Sequence, residues 1–201
     1  MKKYLKFRNN ESMESEDDDE EEQFSEIKVI NNDIYFYSDI TTQSILELTT
    51  IIVNTTNKLL HLNILHDIEI PYIKLHINSQ GGDVLAAFSI LTLIETNRIP
   101  IHSIIEGQAC SAATLISIVA SKRSITSHSY MLIHNLSSSF WGKMHEIEDE
   151  MHNLKQLTTK IRNMYKQYSR INVKDLDKLL KKDLLLKPEI CKKYGLIDYI
   201  I

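Results

Sequence analysis

Ser111, His134 and three late aspartates, Asp175, Asp177 and Asp183, are side-chain types that acyl transfer requires. A serine hydroxyl is a weak nucleophile until a base within reach takes its proton. The base needs a carboxylate to hold its tautomer, and the oxyanion that forms needs fixed N–H donors. An imidazole titrates close enough to neutrality to accept the serine proton and later return it to a leaving amine. The spacing leaves all three aspartates open as the orienting group. The backbone N–H groups of Gly82 and Ala112 are candidate oxyanion donors, and a glycine at 82 lets substrate approach the main chain without a Cβ in the way. Taken alone, Ser111 is more economically read as a helix N-cap, where serine is favoured.

The elements around these residues are expected to set the Gly81-Gly82 loop, Ser111 and His134 at one sheet edge. Ile101–Ile105 reads as a strand, Gly107 as a turn, and the small apolar run Ala112–Ala120 as a helix that starts at Ser111. Negative charge beside that serine would meet unpaired N–H groups and the positive end of the helix dipole. Tyr72–Asn78 reads as another strand, with Ser79-Gln80-Gly81-Gly82 behind it and Asp83 as the cap of a helix over Val84–Glu95. Tyr130–His134 reads as a strand with His134 at its end. Strand–helix units of this length imply a parallel sheet with crossover helices, and reactive groups gather at the carboxyl ends of such strands. Upstream, Asp33–Tyr37 reads as a strand and Thr41–Leu60 as a helix capped by Thr41 or Thr42, with a connection over Asp67–Pro71. Downstream, Met144, Ile147, Met151, Leu154, Thr158, Ile161, Tyr165 and Tyr168 step by three and four along a helix over residues 143–168. Such a seam fits a helix lying on its own domain or an arm packed on another subunit. A short helix over Val173–Lys181, another from Pro188 to Tyr194 with Gly195 as its C-cap, and a closing strand, Leu196–Ile201, complete the chain.

Composition narrows the partners. The 201 residues carry a net charge of −4, but residues 1–26 alone carry −6 and the rest +2. The acidic run Glu14–Glu22 predicts a disordered N-terminal extension over residues 1–26, a solvated tail, a removable pro-segment or a tail at a pore or interface, ahead of a domain over 27–201. No basic stripe points to nucleic acid. Apolar runs are broken by charge, so no membrane span is expected, and the start has no secretory signature. Cys110 and Cys191 are the only cysteines. They offer neither a metal spacing nor a disulfide framework and suit a reducing cytosol. No metal and no cofactor are expected in this chain. Cys110 adjoins Ser111 and reads as a small buried side chain.

Four segments, taken in order, carry a resemblance. Ile77-Asn78-Ser79-Gln80-Gly81-Gly82, Gly107-Gln108-Ala109-Cys110-Ser111-Ala112, Met131-Leu132-Ile133-His134-Asn135, and Lys182-Asp183 through Tyr194-Gly195-Leu196-Ile197-Asp198 are similar to the ClpP family, the proteolytic subunit of the ATP-dependent Clp protease. The resemblance runs from about Ile27 to the C-terminus. It implies Ser111 as nucleophile, His134 as base, Asp183 as the third member of the triad, and Gly82 and Ala112 as the oxyanion positions. It also implies an α/β crotonase-like fold of repeated ββα units with residues 143–168 as the protruding handle helix. The assembly it implies is a homo-oligomer of two stacked heptameric rings, a tetradecamer, fed unfolded polypeptide by a hexameric AAA+ unfoldase in the cytoplasm. The ATP belongs to that unfoldase, since nothing here resembles a phosphate loop.

The chain departs from the family pattern in places. Gln80 and Leu136 stand where the family has prolines, Cys110 and Ala112 where it has alanine and methionine, and Lys182 where it has an arginine. Lysine keeps the charge but loses the bidentate fork. Ser137–Gly142 resembles the versions of large viruses and phages, for which the compartment would be host cytoplasm, and the acidic N-terminus does not resemble the family's axial loops. Two other classes of function stand beside the peptidase. Gln80 and Lys182 favour a non-catalytic ring subunit that modulates another Clp complex, against which stands the retained triad. A crotonase-type acyl-CoA enzyme shares the fold, and the Ser–His–Asp set argues against it.

Overall fold

The computed structural model describes residues 27–66 and 71–201. The disorder expected of residues 1–26, and most of the connection expected at 67–71, fall outside the described residues. The chain is mixed α/β, as expected. A hairpin, β1 (Ile27–Ile30) and β2 (Asp33–Phe36), leads into α1 (Thr42–His66). Then β3 (Ile73–Ser79), α2 (Val84–Thr96), β4 (Ile101–Cys110) and α3 (Ala112–Ile118) alternate. The second half contains β5 (Lys122–Ile125), β6 (Tyr130–Leu132), α4 (Met144–Tyr168), α5 (Val173–Leu179), β7 (Leu185–Leu186), α6 (Pro188–Tyr194) and β8 (Tyr199–Ile200). β2, β3, β4, β5 and β8 lie side by side in parallel, with β1 antiparallel at the edge.

Local chemistry sets the helix starts. Thr41 caps α1 through a reciprocal pair: Ser44 N–H donates to Thr41 Oγ1, and Thr41 N–H to Ser44 Oγ. The helix then runs to His66, past the expected end at Leu60. Asp83 caps α2 by accepting from the N–H groups of Leu85 and Ala86. Gly195 ends α6 at φ 69°, as its position predicts. One sheet face, with Ile34, Phe36, Ile73, Leu75, Ile77, Ile101 and Ile105 nearly or wholly buried, belongs to the core that the helices share. The other face is polar. There His76 Nε2 lies 2.9 Å from Asp33 Oδ1 and Nδ1 2.9 Å from Glu106 Oε1, so the ring ties β2, β3 and β4 together. Burial alone would raise the Asp33 carboxyl, but hydrogen bonds from His76 and Lys74 outweigh it and hold the group below its usual range.

β4 behaves differently from the expected short strand and glycine turn. It continues through Gly107 to Cys110. Opposite β3, Ile77 pairs with Ile105 but Ser79 pairs with Ala109, so β4 bulges between those rungs. Gly107 sits in the bulge at φ +82°, where a Cβ would lie 2.9 Å from Asn78 Oδ1. The bulge is also a fork. Before it, His102–Ile105 pair with β5; beyond it, Gln108–Cys110 pair with β6, which in turn pairs antiparallel with β7. A turn and a bulge both call for positive φ, which is why the sequence pattern did not separate them.

α4 divides into two halves. Ile161, Met164 and Tyr165 near its C-terminal end are buried, whereas Met144, Ile147 and Met151 are 72%, 41% and 51% exposed. The apolar seam therefore continues past the point where this domain covers it. The C-terminal end of α4 is fastened by Arg123. Its Nε and Nη2 grip Asp198, at 3.1 and 2.6 Å, and its Nη1 donates to the carbonyls of Tyr168 and Gly195. This guanidinium is mostly buried, so removing its carboxylate leaves a cation poorly compensated. Asp198→Ala should cost about 2–3 kcal/mol in urea unfolding. A loss under about 0.5 kcal/mol would mean the pair is mere surface decoration.

Candidate active site

The fork in β4 creates a small subsidiary sheet, and every reactive side chain hangs from its ends. Ser111 follows directly on β4, and its N–H donates to Leu132 O of β6 at 2.8 Å. His134 lies two residues beyond β6, and Asp183 two residues before β7. Because β6 and β7 run antiparallel, with Met131 opposite Leu186 and Leu132 opposite Leu185, the chain leaving β6 meets the chain entering β7. His134 Nδ1 and Asp183 Oδ1 are 2.8 Å apart.

The three aspartates differ in what the fold sets against them. Asp175 is engaged with Asn172 and Lys178, and Asp177 pairs with Arg162 at 2.5 Å. Asp183 alone of the three reaches the histidine. Ser111, His134 and Asp183 line a common cleft of about 370 Å³ with Gln80, Gln108, Cys110, Leu132 and Leu185. The carboxylate side chain of Asp183 is 79% exposed and that of His134 29%, so the pair sits at the cleft's open side.

Ser111 is not the N-cap that its type suggests. Its side chain makes no capping hydrogen bond, and its backbone takes φ 53°, ψ −125°. A non-glycine residue in that region is strained by about 1–3 kcal/mol and persists only where its surroundings hold it. Here the hold comes from both sides. β4 ends on one side with its N–H bonded into β6, and α3 begins on the other. The consequence is a hydroxyl presented at a sharp strand-to-helix turn instead of folded back on the helix.

The glycine loop presses against that turn. A Cβ on Gly81 would lie 2.6 Å from Cys110 O and 2.8 Å from Ser111 Cβ. A Cβ on Gly82 would lie 2.2 Å from Ile40 O. Gly81 O accepts from Ile40 N–H and Asp83 N–H donates to Ile40 O, so the loop is clamped to the segment ahead of α1. Gly82 is exposed and Ala112 is buried at the first position of α3, whose N–H has no partner within the helix. Cys110 lines the cleft but is only 8% exposed, and burial raises its thiol pKa. The thiol is therefore kept protonated beside the serine and is a poor nucleophile.

A sequence-family model described as Clp protease matches residues 17–201. The chain belongs to the Clp protease family. The match covers all the elements above, and the mixed sheet and six helices among the described residues are consistent with the fold of ClpP, so the resemblance carried by the four motifs holds. Membership makes the chain a ClpP-type peptidase in its general class. Among the described residues, no helix is long and apolar enough to cross a membrane, and no cluster of three histidine, cysteine or acidic side chains could hold a metal.

Two expectations follow from the packing. Gly81→Ala should both lower the unfolding midpoint and abolish turnover, since its added methyl meets main chain that cannot yield. Retained activity would show that the loop moves freely from the Ser111 turn. Iodoacetamide should modify Cys110 at pH 8 at least tenfold more slowly in the folded protein than in urea. Equal rates, read by peptide mass spectrometry, would contradict its burial.

Proposed function

We propose that this chain is a serine endopeptidase subunit that cuts unfolded polypeptides to short peptides through an acyl-enzyme. The observation that carries the reading is the 2.8 Å contact between His134 Nδ1 and Asp183 Oδ1 in the cleft that Ser111 shares. With Nδ1–H donating to the carboxylate, Nε2 is the nitrogen left to act as base.

The steps follow from those positions. Ser111 Oγ attacks the scissile carbonyl carbon while His134 Nε2 takes the hydroxyl proton. The carbonyl oxygen becomes an oxyanion and is met by the N–H groups of Gly82 and Ala112. Asp183 stays ionised and stabilises the imidazolium. The tetrahedral adduct collapses, the C–N bond breaks, and His134 hands its proton to the departing amine. Water then attacks the acyl-enzyme by the same route in reverse order, returning the proton to Ser111 and releasing the new carboxylate. No cofactor enters this scheme.

The proposal includes the assembly that the family resemblance implies: a homo-oligomer of two stacked heptameric rings in the cytoplasm, with a Clp-type AAA+ unfoldase spending the ATP. The uncovered apolar residues Met144, Ile147 and Met151 support the part of this in which α4 packs against a second ring. Apolar residues spaced three and four apart on an uncovered helix face suit an interface seam.

A fluorogenic short-peptide assay on size-fractionated protein tests both halves. Activity should run with a particle far larger than the 23.3 kDa chain and vanish in Ser111→Ala. Asp183→Asn should lower kcat by about 10²-fold or more, since the histidine loses its orienting anion. Undiminished turnover in Ser111→Ala would remove the serine from the mechanism. A large particle without activity would favour the modulatory subunit.

A further inference from the structure

A buried chain of hydroxyls runs from α4 to the peptide that follows Ser111. Thr114 lies one turn into α3, and its Oγ1 donates to Ser111 O at 2.6 Å. Thr114 N–H donates to the same carbonyl at 3.0 Å. Thr114 Oγ1 is also 2.5 Å from the phenolic oxygen of Tyr165 on α4. A carbonyl cannot donate, so the single hydroxyl hydrogen of Thr114 goes to Ser111 O, and Tyr165 O–H must donate to Thr114. Both side chains are out of water, Thr114 at 0% and Tyr165 at 2% exposure. Burial also drives the phenol pKa upward, so it remains a donor throughout the neutral range.

The carbonyl at the end of this chain belongs to the Ser111–Ala112 peptide, whose other end is the Ala112 N–H. A peptide unit is planar, so fixing the direction of its C=O fixes the direction of its N–H. That matters here because Ser111 sits in a strained backbone region, from which an unheld peptide would rotate. Two hydrogen bonds accepted by the carbonyl also polarise the unit and strengthen its N–H as a donor. We propose that Thr114 and Tyr165 are positioning residues for the oxyanion donor at Ala112, acting through the Ser111 carbonyl. The proposal rests on the serine-peptidase reading, because only there does the aim of the Ala112 N–H govern a rate. A helix-capping serine would need neither hydroxyl. An ordinary core would be served as well by Val at 114 and Phe at 165, which avoid burying polar atoms.

The test uses the full-length chain in its assembled form. A fluorophosphonate probe places a phosphoryl oxygen where the oxyanion would form, so its rate of bonding to Ser111 reads the aim of the donor. Peptide kcat and KM are measured beside it. Tyr165→Phe should slow labelling and lower kcat about tenfold with KM unchanged, the mark of an interaction made in the transition state. Thr114→Val should lower both about 10²-fold, and Thr114→Ser, which keeps the hydroxyl, should restore most of the loss. Adding Tyr165→Phe to Thr114→Val should bring no further loss, because the tyrosine acts through the threonine. Wild-type rates in Tyr165→Phe, with Ser111 still labelled, would overturn the relay and leave the peptidase reading intact. Labelling absent from the wild type, or unchanged in Ser111→Ala, would overturn both. Should Thr114→Val fail to fold, Tyr165→Phe decides the matter, and a fall in thermal stability with unchanged kcat and labelling would count against positioning.

Discussion

Everything at the candidate site depends on β4 keeping its hydrogen bonds on both sides of a bulge. A strand interior normally has one neighbour on each edge for its whole length. β4 instead gives up β5 at Ile105 and takes β6 from Gln108 onward, and the extra residues between the rungs absorb the change of direction. Gly107 makes this feasible because its φ of +82° is one that residues with a side chain rarely adopt. Without the fork, β6 would have no partner on β4, and the histidine beyond it would not arrive beside the serine. One positive-φ residue in the middle of a strand therefore governs the meeting of residues from three separate parts of the sequence.

A second constraint acts at Ser111, where strain is balanced by surrounding order. The turn is held by β6 through the Ser111 N–H, by α3 through the Ser111 carbonyl, and by the steric pressure of Gly81. None of these contacts uses the serine hydroxyl. The backbone carries the structural contacts, and the hydroxyl is left out of them. The same division applies to Ala112, whose side chain is buried while its N–H, at the helix start, has no partner within the helix.

Much of this was legible in the sequence, and the remainder was hidden for definite reasons. The cap of α1 at Thr41 or its neighbour Thr42, the cap of α2 at Asp83, the glycine that ends α6 and the alternation of strands and helices all follow from local rules, and the structure places the first cap at Thr41. The fork did not follow, because a glycine after an apolar run signals positive φ without saying whether the strand stops or swerves. The aspartate was unresolved by residue type, since Asp175, Asp177 and Asp183 are equally acidic and differ only in what the fold sets against them. Ser111 as a cap was overridden by tertiary structure: β6 captures its N–H and the backbone bends away from cap geometry. Thr114 carried a faint signal as a hydroxyl in an otherwise small and apolar run. Its partner Tyr165 lies 51 residues away on another helix, and no pattern of spacing reaches that far.

The strand that delivers Asp183 is slight. β7 is two residues long, pairs on one edge with β6, and has one residue, Leu186, anchored in the core. Segments of that kind open at far lower free energy than the sheet they border. Folding and the closing of the His134–Asp183 contact are thus separate equilibria. A subunit can hold its complete core, and give every global sign of being native, while a small fraction of that stability decides whether its histidine has an anion behind it. Any contact that steadies those few residues raises the fraction of subunits in which Asp183 stands beside His134, with no need to touch the serine at all.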